Sequence, residues 1–274
     1  MTDDILVDDM SRGELLLFGA GLSGPVPRFP FGFRFPENTS ERPPSHPDVV
    51  FGIDVSHYQK DIAWEHVPEQ AFRFVYVKAS QGTSIDDKFK NNWTGLGKVA
   101  AAKNLLRGPY HFMSADIDAK IQAKRFSGLV EKLDKPFDLP PCLDFEWDFR
   151  KVGDQQVDAW THLTAQQIID KLTTCADAVE TATGRTPIIY TNASFFKDRV
   201  GNSTALNKFR IWVADYARHD VANDTPASIP SHTIPIWQFT DSGILSKGGP
   251  SPVDSSVFFG NEDELRKQFT PQQA

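Results

Sequence analysis

Apolar runs of six to nine residues recur along the chain from residue 50 onward, and they constrain the fold more than any other feature of the sequence. Seven of them lie at residues 50–56, 72–80, 107–113, 142–147, 187–192, 210–216 and 235–240, and a short eighth includes Val253 and Asp254. Runs of this length that are almost continuously apolar are typical of strands covered on both faces, as in a parallel sheet.

Two amphipathic patterns between these runs predict helices. The first spans residues 118–133 and places these apolar side chains on one stripe: Ile121, Phe126, Leu129, Val130 and Leu133. The second spans residues 164–183 and has a stripe of Ile168, Leu172, Cys175 and Val179. Thr164 and Gln167 have the spacing of a capping box at its start, and Gly184 is a predicted end signal. Strands and helices in this alternation indicate an α/β fold.

The number of strands narrows the architecture further. Seven or eight strands within residues 49–274 favour a closed barrel over an open sheet, and the later runs leave little room for helices between them. We therefore predict an irregular TIM-like (β/α) barrel whose last strands lack helices. Residues 1–48, which are rich in proline and phenylalanine, form a predicted N-terminal arm in front of this barrel domain.

The charge pattern and the absence of several motifs exclude some classes of function. The net charge is −7, and no run of Lys and Arg would make a basic face, so we expect no nucleic-acid partner. The sequence contains no H-E-x-x-H motif, no nucleotide-binding glycine motif and no G-x-S-x-G elbow, so no metal and no cofactor are expected. Cys142 and Cys175 belong to no C-x-x-C pair and are expected to be buried free thiols.

The run CLDFEW, residues 142–147, contains two acids, Asp144 and Glu146, one residue apart. Alternate strand residues point to the same side, about 7 Å apart along the chain, so these acids are expected to face together. In a barrel, Leu143 and Phe145 would face the helices, and the acids would face the interior near the C-terminal mouth, where barrel active sites lie. Two carboxyls this close tend to share a proton, which suits glycoside hydrolysis. Ion pairs with Lys or Arg on a neighbouring strand are the alternative.

Further acids and aromatic side chains occur where other predicted strands end. The acids are Asp54, Asp241 and Asp254, and the candidate sugar-binding aromatics are Tyr110, Trp147, Tyr190, Tyr216 and Trp237. An aromatic face beside carboxylates suits a sugar ring, which offers an apolar face and a rim of hydroxyls. Core packing is the alternative for each aromatic taken alone. For His111, a hydrogen-bonded barrel histidine is favoured over a metal ligand.

Eight motifs occur together in one order along the chain. They are FGIDVSHYQ, FVYVKASQGTSIDDKF, GPYHF, PPCLDFEW, PIIYTN, IWVADY, IWQFTDSG and VDSSVFFG. In this order, over residues 50–260, they resemble glycoside hydrolase family 25, the Chalaropsis-type lysozymes or N-acetylmuramidases. The resemblance implies an irregular β/α barrel whose last strands lack helices. It also implies hydrolysis of the β-1,4 bond between N-acetylmuramic acid and N-acetylglucosamine in peptidoglycan.

The resemblance assigns roles to four acids. In the family's D-x-E pair the Glu is the proton donor, and this role falls on Glu146, with Asp144 as the paired acid. The family's first-strand Asp falls on Asp54. Its late Asp, in a V-D-x-N-x-F-like segment, falls on Asp254.

The sequence leaves two questions open: which residue is the late acid, and whether one of two other functions applies. Ser256 stands where the late segment usually has Asn, so Asp241 competes with Asp254 for the role of late acid. A chitinase-like glycosidase would need D-x-x-D-x-D-x-E, but Cys142 and Leu139 stand where two of its aspartates are required. A barrel that binds glycans without cleaving them is the remaining alternative.

The N-terminal residues bear on localisation and partners. The first ten residues, MTDDILVDDM, are acidic, and the apolar segment at 15–22 is short, so we expect neither a Sec signal peptide nor a membrane span. The protein is then expected to be made in the cytoplasm and delivered to the cell wall or periplasm by a non-Sec route, as a secretion-system effector or in phage lysis. The arm, residues 1–48, is a candidate docking segment for a delivery or immunity protein.

Overall fold

A computed structural model describes residues 49–69, 72–130, 133–201, 203–218, 221, 224–245 and 252–271. The predicted arm, residues 1–48, lies outside the described residues, so the arm and the domain boundary at residue 49 stay predictions. The described strands are β1 Val49–Val55, β2 Phe72–Gln81, β3 Ser84–Ile85, β4 Leu106–Phe112, β5 Cys142–Asp144, β6 Phe149–Val152, β7 Gln155–Asp158, β8 Ile188–Asn192, β9 Ile211–Ala214, β10 Ile236–Gly243 and β11 Val253–Phe259.

Eight of these strands form a closed barrel. Neighbouring strands follow the order β1, β2, β4, β5, β8, β9, β10 and β11, and the pairing of β11 with β1 closes the ring. This closure confirms the predicted α/β barrel. Strand β3 pairs with the end of β2, and β6 and β7 form a separate hairpin whose turn contains Gly153 at φ +63°. The sequence patterns do not predict this hairpin, because its residues are mostly polar and exposed.

The direction of β11 differs from that expected of an all-parallel barrel. Pairs from β1 through β10 around the ring are parallel, whereas β11 is antiparallel to both β10 and β1. A parallel partner for β10 would need a crossover of a dozen or more residues, and the connection from β10 to β11 is shorter than that. In the parts of 215–235 and 244–252 that the structure describes, no helix lies between the last three strands. The predicted loss of helices late in the barrel is therefore confirmed.

The described helices lie between the earlier strands and at the end of the chain. They are α1 Phe89–Lys103, α2 Ala119–Ser127, α3 Ala165–Thr183, the short α4 Ala193–Phe195 that continues into a π turn at Phe196–Val200, and α5 Glu262–Phe269, with 3-10 turns at His57–Gln59, Trp64–Glu69 and Ala159–His162. Helix α3 has the predicted capping box of Thr164 and Gln167, and it ends at Gly184 in the left-handed conformation. The patterns above do not predict α1, in which Gly95 and Gly97 interrupt a sparse apolar stripe.

The predicted helix over residues 118–133 is too long. Asp118 caps α2, which ends at Ser127, and Gly128 follows it as the C-cap residue. The buried face of α2 consists of Ala119, Gln122, Ala123 and Phe126, whereas Ile121 is 54% exposed. The predicted stripe fails because its later members, Val130 and Leu133, are buried from the loop that follows the helix.

Two apolar layers lie on the two sides of the barrel wall. The interior layer includes Phe74, Tyr76, Tyr190, Trp212 and Phe258, and the outer layer packs strand residues against α1, α2 and α3. Two glycines make room for the large interior rings. A Cβ on Gly52 would lie 2.1 Å from the Phe74 ring, and a Cβ on Gly108 would lie 2.3 Å from the Tyr76 ring. The interior is thus a filled core, with no room for a pore at this level.

Helix α5 closes the base of the barrel, which is the end opposite the mouth. Leu265 and Phe269 pack into the interior layer, and Phe269 meets Phe258 edge to face, with ring centroids 5.9 Å apart. The Arg185 guanidinium donates to the carbonyl oxygens of Leu133 and Phe269 and so ties α5 to the wall. Among the described residues, the base of the barrel is therefore covered by α5. Within the described part of the chain, no helix has the length and apolar character needed to cross a membrane.

Candidate active site

Glu146 lies just beyond β5 rather than on it. The strand ends at Asp144, so the predicted strand over residues 142–147 is too long. Phe145 N still donates to the carbonyl oxygen of Tyr190 on β8 at 2.8 Å, which extends the ladder by one bond. The indole Nε1 of Trp160 then donates to the carbonyl oxygen of Glu146 at 2.9 Å. This bond takes the Glu146 backbone out of the sheet and holds it at the mouth.

The side of β5 that carries Asp144 faces the barrel interior. Cys142, two residues earlier, packs in the interior layer, whereas Leu143 and Phe145 pack in the outer layer, as predicted. Asp144 is 0% exposed, and Glu146 is 4% exposed. Both acids are therefore buried at the C-terminal end of a barrel strand, which is the end that carries catalytic groups in barrels of this kind.

Asp54 and Asp254 meet across the seam where β1 and β11 close the barrel. They are directly opposite each other in the register, because the start of antiparallel β11 lies beside the end of β1. Asp54 is fully buried, and Asp254 is partly buried. Asp241 lies on β10 within an irregular stretch, where the register shifts between Thr240 and Gly243. The register therefore favours Asp254 over Asp241 as the acid beside Asp54.

Gln238 connects the first acid to two of the predicted aromatics. It is fully buried, and its Nε2 donates to Asp54 Oδ2 at 2.7 Å. Its Oε1 accepts hydrogen bonds from the hydroxyls of Tyr190 at 2.7 Å and Tyr216 at 2.5 Å. The amide thus fixes the position of an acid and the hydrogen-bond direction of both phenols. Sequence reasoning missed this residue, although an amide inside the apolar run PIWQFT was a usable signal.

The predicted sugar-binding aromatics fall into two groups. Tyr110 and Tyr190 lie in the interior layer, and partly buried Tyr216 packs against it. Trp147 and Trp237 lie in the outer layer instead. Trp237 is fully buried, with its Nε1 donating to the carbonyl oxygen of Asp215 at 2.9 Å. These positions favour a packing role for the two tryptophans and keep the three tyrosines as candidates for substrate contact.

A buried lysine accompanies the acids, and sequence reasoning missed it too. Lys78 follows Phe74 and Tyr76 at alternate positions of β2, so it shares their interior side, and it is 6% exposed. Its Nζ donates to Gln81 Oε1 at 2.7 Å and lies 5.4 Å from the centroid of the Phe112 ring. A lysine is rarely buried to this degree unless it is paired or used. Its place in the apolar run FRFVYVKAS was the available signal.

A third acid in the same segment, Asp148, supports the site rather than lining it. Its Oδ2 accepts hydrogen bonds from Ala115 N at 2.8 Å, Ser114 Oγ at 3.1 Å and the Arg150 guanidinium at 3.0 Å. Its backbone N donates to Asp158 Oδ1 at 3.3 Å. These bonds join the loop after β4 to the β6–β7 hairpin two residues beyond Glu146.

His111 is a structural histidine of the barrel wall. Its Nδ1 accepts from Ser80 Oγ at 2.8 Å, and its Nε2 donates to Gln122 Oε1 at 3.2 Å. Burial lowers the pKa of His111 to about 4, the Gln122 hydrogen bond opposes this shift, and the positive charge of Lys78 adds to it. The imidazole is therefore neutral at neutral pH. Among the residues described, no group of three or more His, Cys, Asp or Glu side chains is placed to hold a metal ion.

The sequence matches one protein-family model and several known proteins. The family model described as "Glycosyl hydrolases family 25" matches residues 53–247. The chain is 30% identical over 224 residues to the uncharacterized protein YegX of Escherichia coli strain K12, which covers 80% of this chain and 72% of that protein. It is 29% identical over 229 residues to lysozyme M1 of Streptomyces globisporus, with coverage of 81% and 72%.

A solved structure shares the architecture. The bacterial lysozyme from Streptomyces coelicolor superposes with a TM-score of 0.69 at 27% identity, over 79% of this chain and 95% of that one. The similarity therefore extends over nearly the whole of that enzyme and over most of the described barrel.

Proposed function

The chain belongs to glycosyl hydrolases family 25 and is a peptidoglycan hydrolase of the lysozyme type, and on that premise we propose that Glu146 is its general acid. In this proposal Glu146 protonates the glycosidic oxygen as the bond breaks. The bond is the β-1,4 linkage between N-acetylmuramic acid and N-acetylglucosamine. The observation that carries the proposal is the burial of Glu146 and Asp144 together at the mouth of the closed barrel.

Burial of this pair suits acid catalysis for a physical reason. A low-dielectric setting disfavours a charged carboxyl, and a second carboxyl nearby disfavours it further. One member of such a pair can therefore hold a proton that a leaving group needs, while the other stays available for developing positive charge. The backbone bonds from Trp160 and to Tyr190 keep the segment between the acids fixed, which preserves their alignment.

Asp144 has one of two roles in this scheme. It stabilises positive charge on the sugar, or on an oxazolinium formed by the substrate's own acetamido group, or else it positions a water molecule for direct displacement. Proton NMR of the first products separates these routes, because displacement by water inverts the anomeric configuration and the other routes retain it.

The other predicted site residues have supporting roles in this proposal. Asp54 and Asp254 orient the pair and tune its charge, and Tyr110, Tyr190 and Tyr216 contact the sugar.

Mass spectrometry of digested peptidoglycan tests the proposed bond and the proposed acid together. We expect new reducing ends on muramic acid from the wild-type protein and no products from Glu146→Gln. Reducing ends on glucosamine would refute the bond, and undiminished digestion by the variant would refute the acid. Binding to peptidoglycan without any release of fragments would instead support a non-catalytic glycan-binding barrel.

We also propose that the arm, residues 1–48, serves delivery rather than hydrolysis. Its support is compositional, because alternating proline and aromatic residues are typical of extended segments that pack on a partner. The partner would be a delivery apparatus or an immunity protein. Removing residues 1–48 should leave hydrolysis of purified peptidoglycan unchanged and abolish export or partner capture. Loss of hydrolysis in the truncated protein would contradict this division of labour.

A further inference from the structure

Tyr58 stands out among the large apolar side chains of the described residues, because it is a 40% exposed aromatic ring beside the active-site mouth. The other large apolar side chains exposed to a similar degree are aliphatic: Ile85, Ile121, Val152 and Val157. Tyr58 follows Asp54 by four residues, so the two Cα atoms are at most about 14 Å apart. Because β1 ends at Val55 and its C-terminal end is at the mouth, the turn that carries Tyr58 lies on the rim of the mouth, within a few sugar rings of the acids.

The backbone that carries Tyr58 is held rigidly. Tyr58 lies in the 3-10 turn His57–Gln59, which Ser56 caps through a full capping box with Gln59. Tyr58 N donates to Ser56 Oγ at 3.3 Å, and Gln59 Nε2 donates to the carbonyl oxygen of Pro252 at 3.3 Å. Since Pro252 directly precedes β11, this last bond ties the turn to the other side of the barrel seam.

The imidazole of His57 supports the Tyr58 ring from beside it. The two ring centroids are 4.2 Å apart with an interplanar angle of 34°. His57 is itself clamped by the buried carboxylate of Asp86, whose Oδ2 lies 2.7 Å from His57 Nδ1 and accepts from His57 N at 3.1 Å. A buried acid, a histidine and a capping box together hold one solvent-exposed ring in place. Folding alone gains little from fixing a ring that stays in water.

From this arrangement we infer that Tyr58, backed by His57, is a stacking platform for a pyranose ring of the glycan strand, outside the four sugars centred on the cleaved bond. A pyranose ring presents an apolar C–H face, and a fixed aromatic ring covers that face at low entropic cost because it is already ordered. The inference rests on the proposed function, because it concerns a neighbouring subsite of the same glycan. It assigns the β1 rim of the mouth to an additional sugar.

Glycan length is the variable that tests this platform. Hydrolysis is measured on two soluble peptidoglycan oligosaccharides with wild type, Tyr58→Ala, Tyr58→Phe and Ile121→Ala. One is a tetrasaccharide that begins with N-acetylglucosamine, so its single cleavable bond is the central one, and the other is an octasaccharide. Tyr58→Phe keeps the ring and loses only the hydroxyl. Ile121→Ala removes a more exposed apolar side chain from α2 and is the matched control.

We expect Tyr58→Ala to lower kcat/KM on the octasaccharide about tenfold, mainly through KM, because the loss of one aromatic contact weakens binding by roughly that factor. On the tetrasaccharide the same variant should stay within about twofold of wild type, because the shorter glycan does not reach the platform and loses no contact. Tyr58→Phe and Ile121→Ala should match wild type on both substrates.

Two results would overturn the platform. One is an octasaccharide rate in Tyr58→Ala equal to that of wild type. The other is an equal loss on both substrates, which would make Tyr58 a structural residue of the mouth. Failure of the wild-type protein to hydrolyse either oligosaccharide would instead refute the proposed function, and the platform with it, so the two failures are distinguishable.

Discussion

The mouth and the base of the barrel both bury acidic side chains, but they surround them with different partners. At the mouth, Asp54 accepts a hydrogen bond from the neutral amide of Gln238. At the base, Asp138 meets the Arg107 guanidinium at 3.0 Å, and that guanidinium lies 3.9 Å from the centroid of the Trp93 ring. A neutral amide does not by itself hold Asp54 in its charged form, whereas the Arg107 guanidinium favours the charged form of Asp138. The contrast separates Asp54 from the ion-paired structural acids, which at the mouth include Asp148 and Asp158.

The ends also differ in how they are closed. Helix α5 fills the base with Leu265 and Phe269, and Arg185 ties the end of that helix to the barrel wall. The mouth instead carries loops joined by polar networks, in which Asp148 and Asp158 take the principal bonds. Substitutions at the two ends should therefore separate rate from stability.

The largest effect is expected at the mouth, from Asp144→Asn. The amide keeps the shape of the side chain but removes the charge that stabilises a cationic transition state, so the hydrolysis rate should fall about a thousandfold. The midpoint of urea unfolding should change little. A rate within a few-fold of wild type would show that Asp144 is a packing residue and would remove the contrast between the ends.

At the base, Asp138→Asn should lower the stability of the fold and leave the hydrolysis rate unchanged, which is the reverse of the effect expected for Asp144→Asn. Burial, the largest influence, raises the pKa of Asp138, and Arg107 offsets this only in part. The amide leaves the mostly buried guanidinium without its countercharge, and its NH2 group faces one of two donors, Arg107 Nε or Lys135 N. The free energy of unfolding should therefore fall by about 3 kcal/mol. Urea unfolding measures this loss. Hydrolysis per folded molecule should be unchanged, and a fall in that rate would contradict the assignment.

The wall between the ends contains a pH-sensitive group, His111. Its folded pKa of about 4 lies below the ordinary value of 6.5, so the unfolded chain binds a proton that the folded protein excludes. The contribution of neutral His111 to the free energy of unfolding is therefore fully present above pH 6.5, and it is lost as the pH falls toward 4. Between pH 7.5 and pH 5 the loss should be about 2 kcal/mol.

Urea unfolding at the two pH values checks the His111 contribution, with His111→Gln as the comparison. Glutamine can accept from Ser80 and donate to Gln122 without titrating, so the pH-dependent loss should shrink in that variant. An equal loss in both proteins would assign the acid sensitivity to other groups.

The smallest effect on the hydrolysis rate is expected from a substitution of Gln238, the neutral hydrogen-bond partner of Asp54. Gln238→Glu places a second carboxyl where the amide now donates to Asp54, which disfavours two charges in one place. We expect a rate reduction of about tenfold and an activity profile displaced to higher pH, because added negative charge favours the protonated form of nearby acids. A reduced rate with an unmoved pH profile would mean that Gln238 only packs.

The barrel could be predicted from the sequence because its strands and helices are marked by patterns among residues that are close together in the chain. Apolar runs report buried strands directly, and the capping box of α3 lies within four residues of sequence. The apolar runs did not predict the reversal of β11, because a run carries no information on strand direction; the short connection between β10 and β11 was the available signal. That reversal is nevertheless what brings Asp254 beside Asp54.

Within the site, the acids were easier to predict than the residues that hold them in position by hydrogen bonds. Asp144 and Glu146 contrast with an apolar run, but the roles of Gln238 and Trp160 depend on partners 184 and 14 residues away. Trp147 and Trp237 are the residue types that bind sugars, yet both pack in the outer layer. Strand parity places Trp237 on that side, whereas Trp147 lies beyond the end of β5. The sequence therefore predicted the side of the wall correctly for Leu143 and Phe145 but not for the two tryptophans.

The most direct test of this account is the urea unfolding of Glu146→Gln beside wild type, on the same preparations that are assayed for peptidoglycan hydrolysis. If the mouth buries Glu146 for chemistry, the variant should lose hydrolysis while its free energy of unfolding stays within about 0.5 kcal/mol of wild type or rises. A loss of stability of about 3 kcal/mol, the size expected at Asp138, would make Glu146 a structural acid and contradict the account.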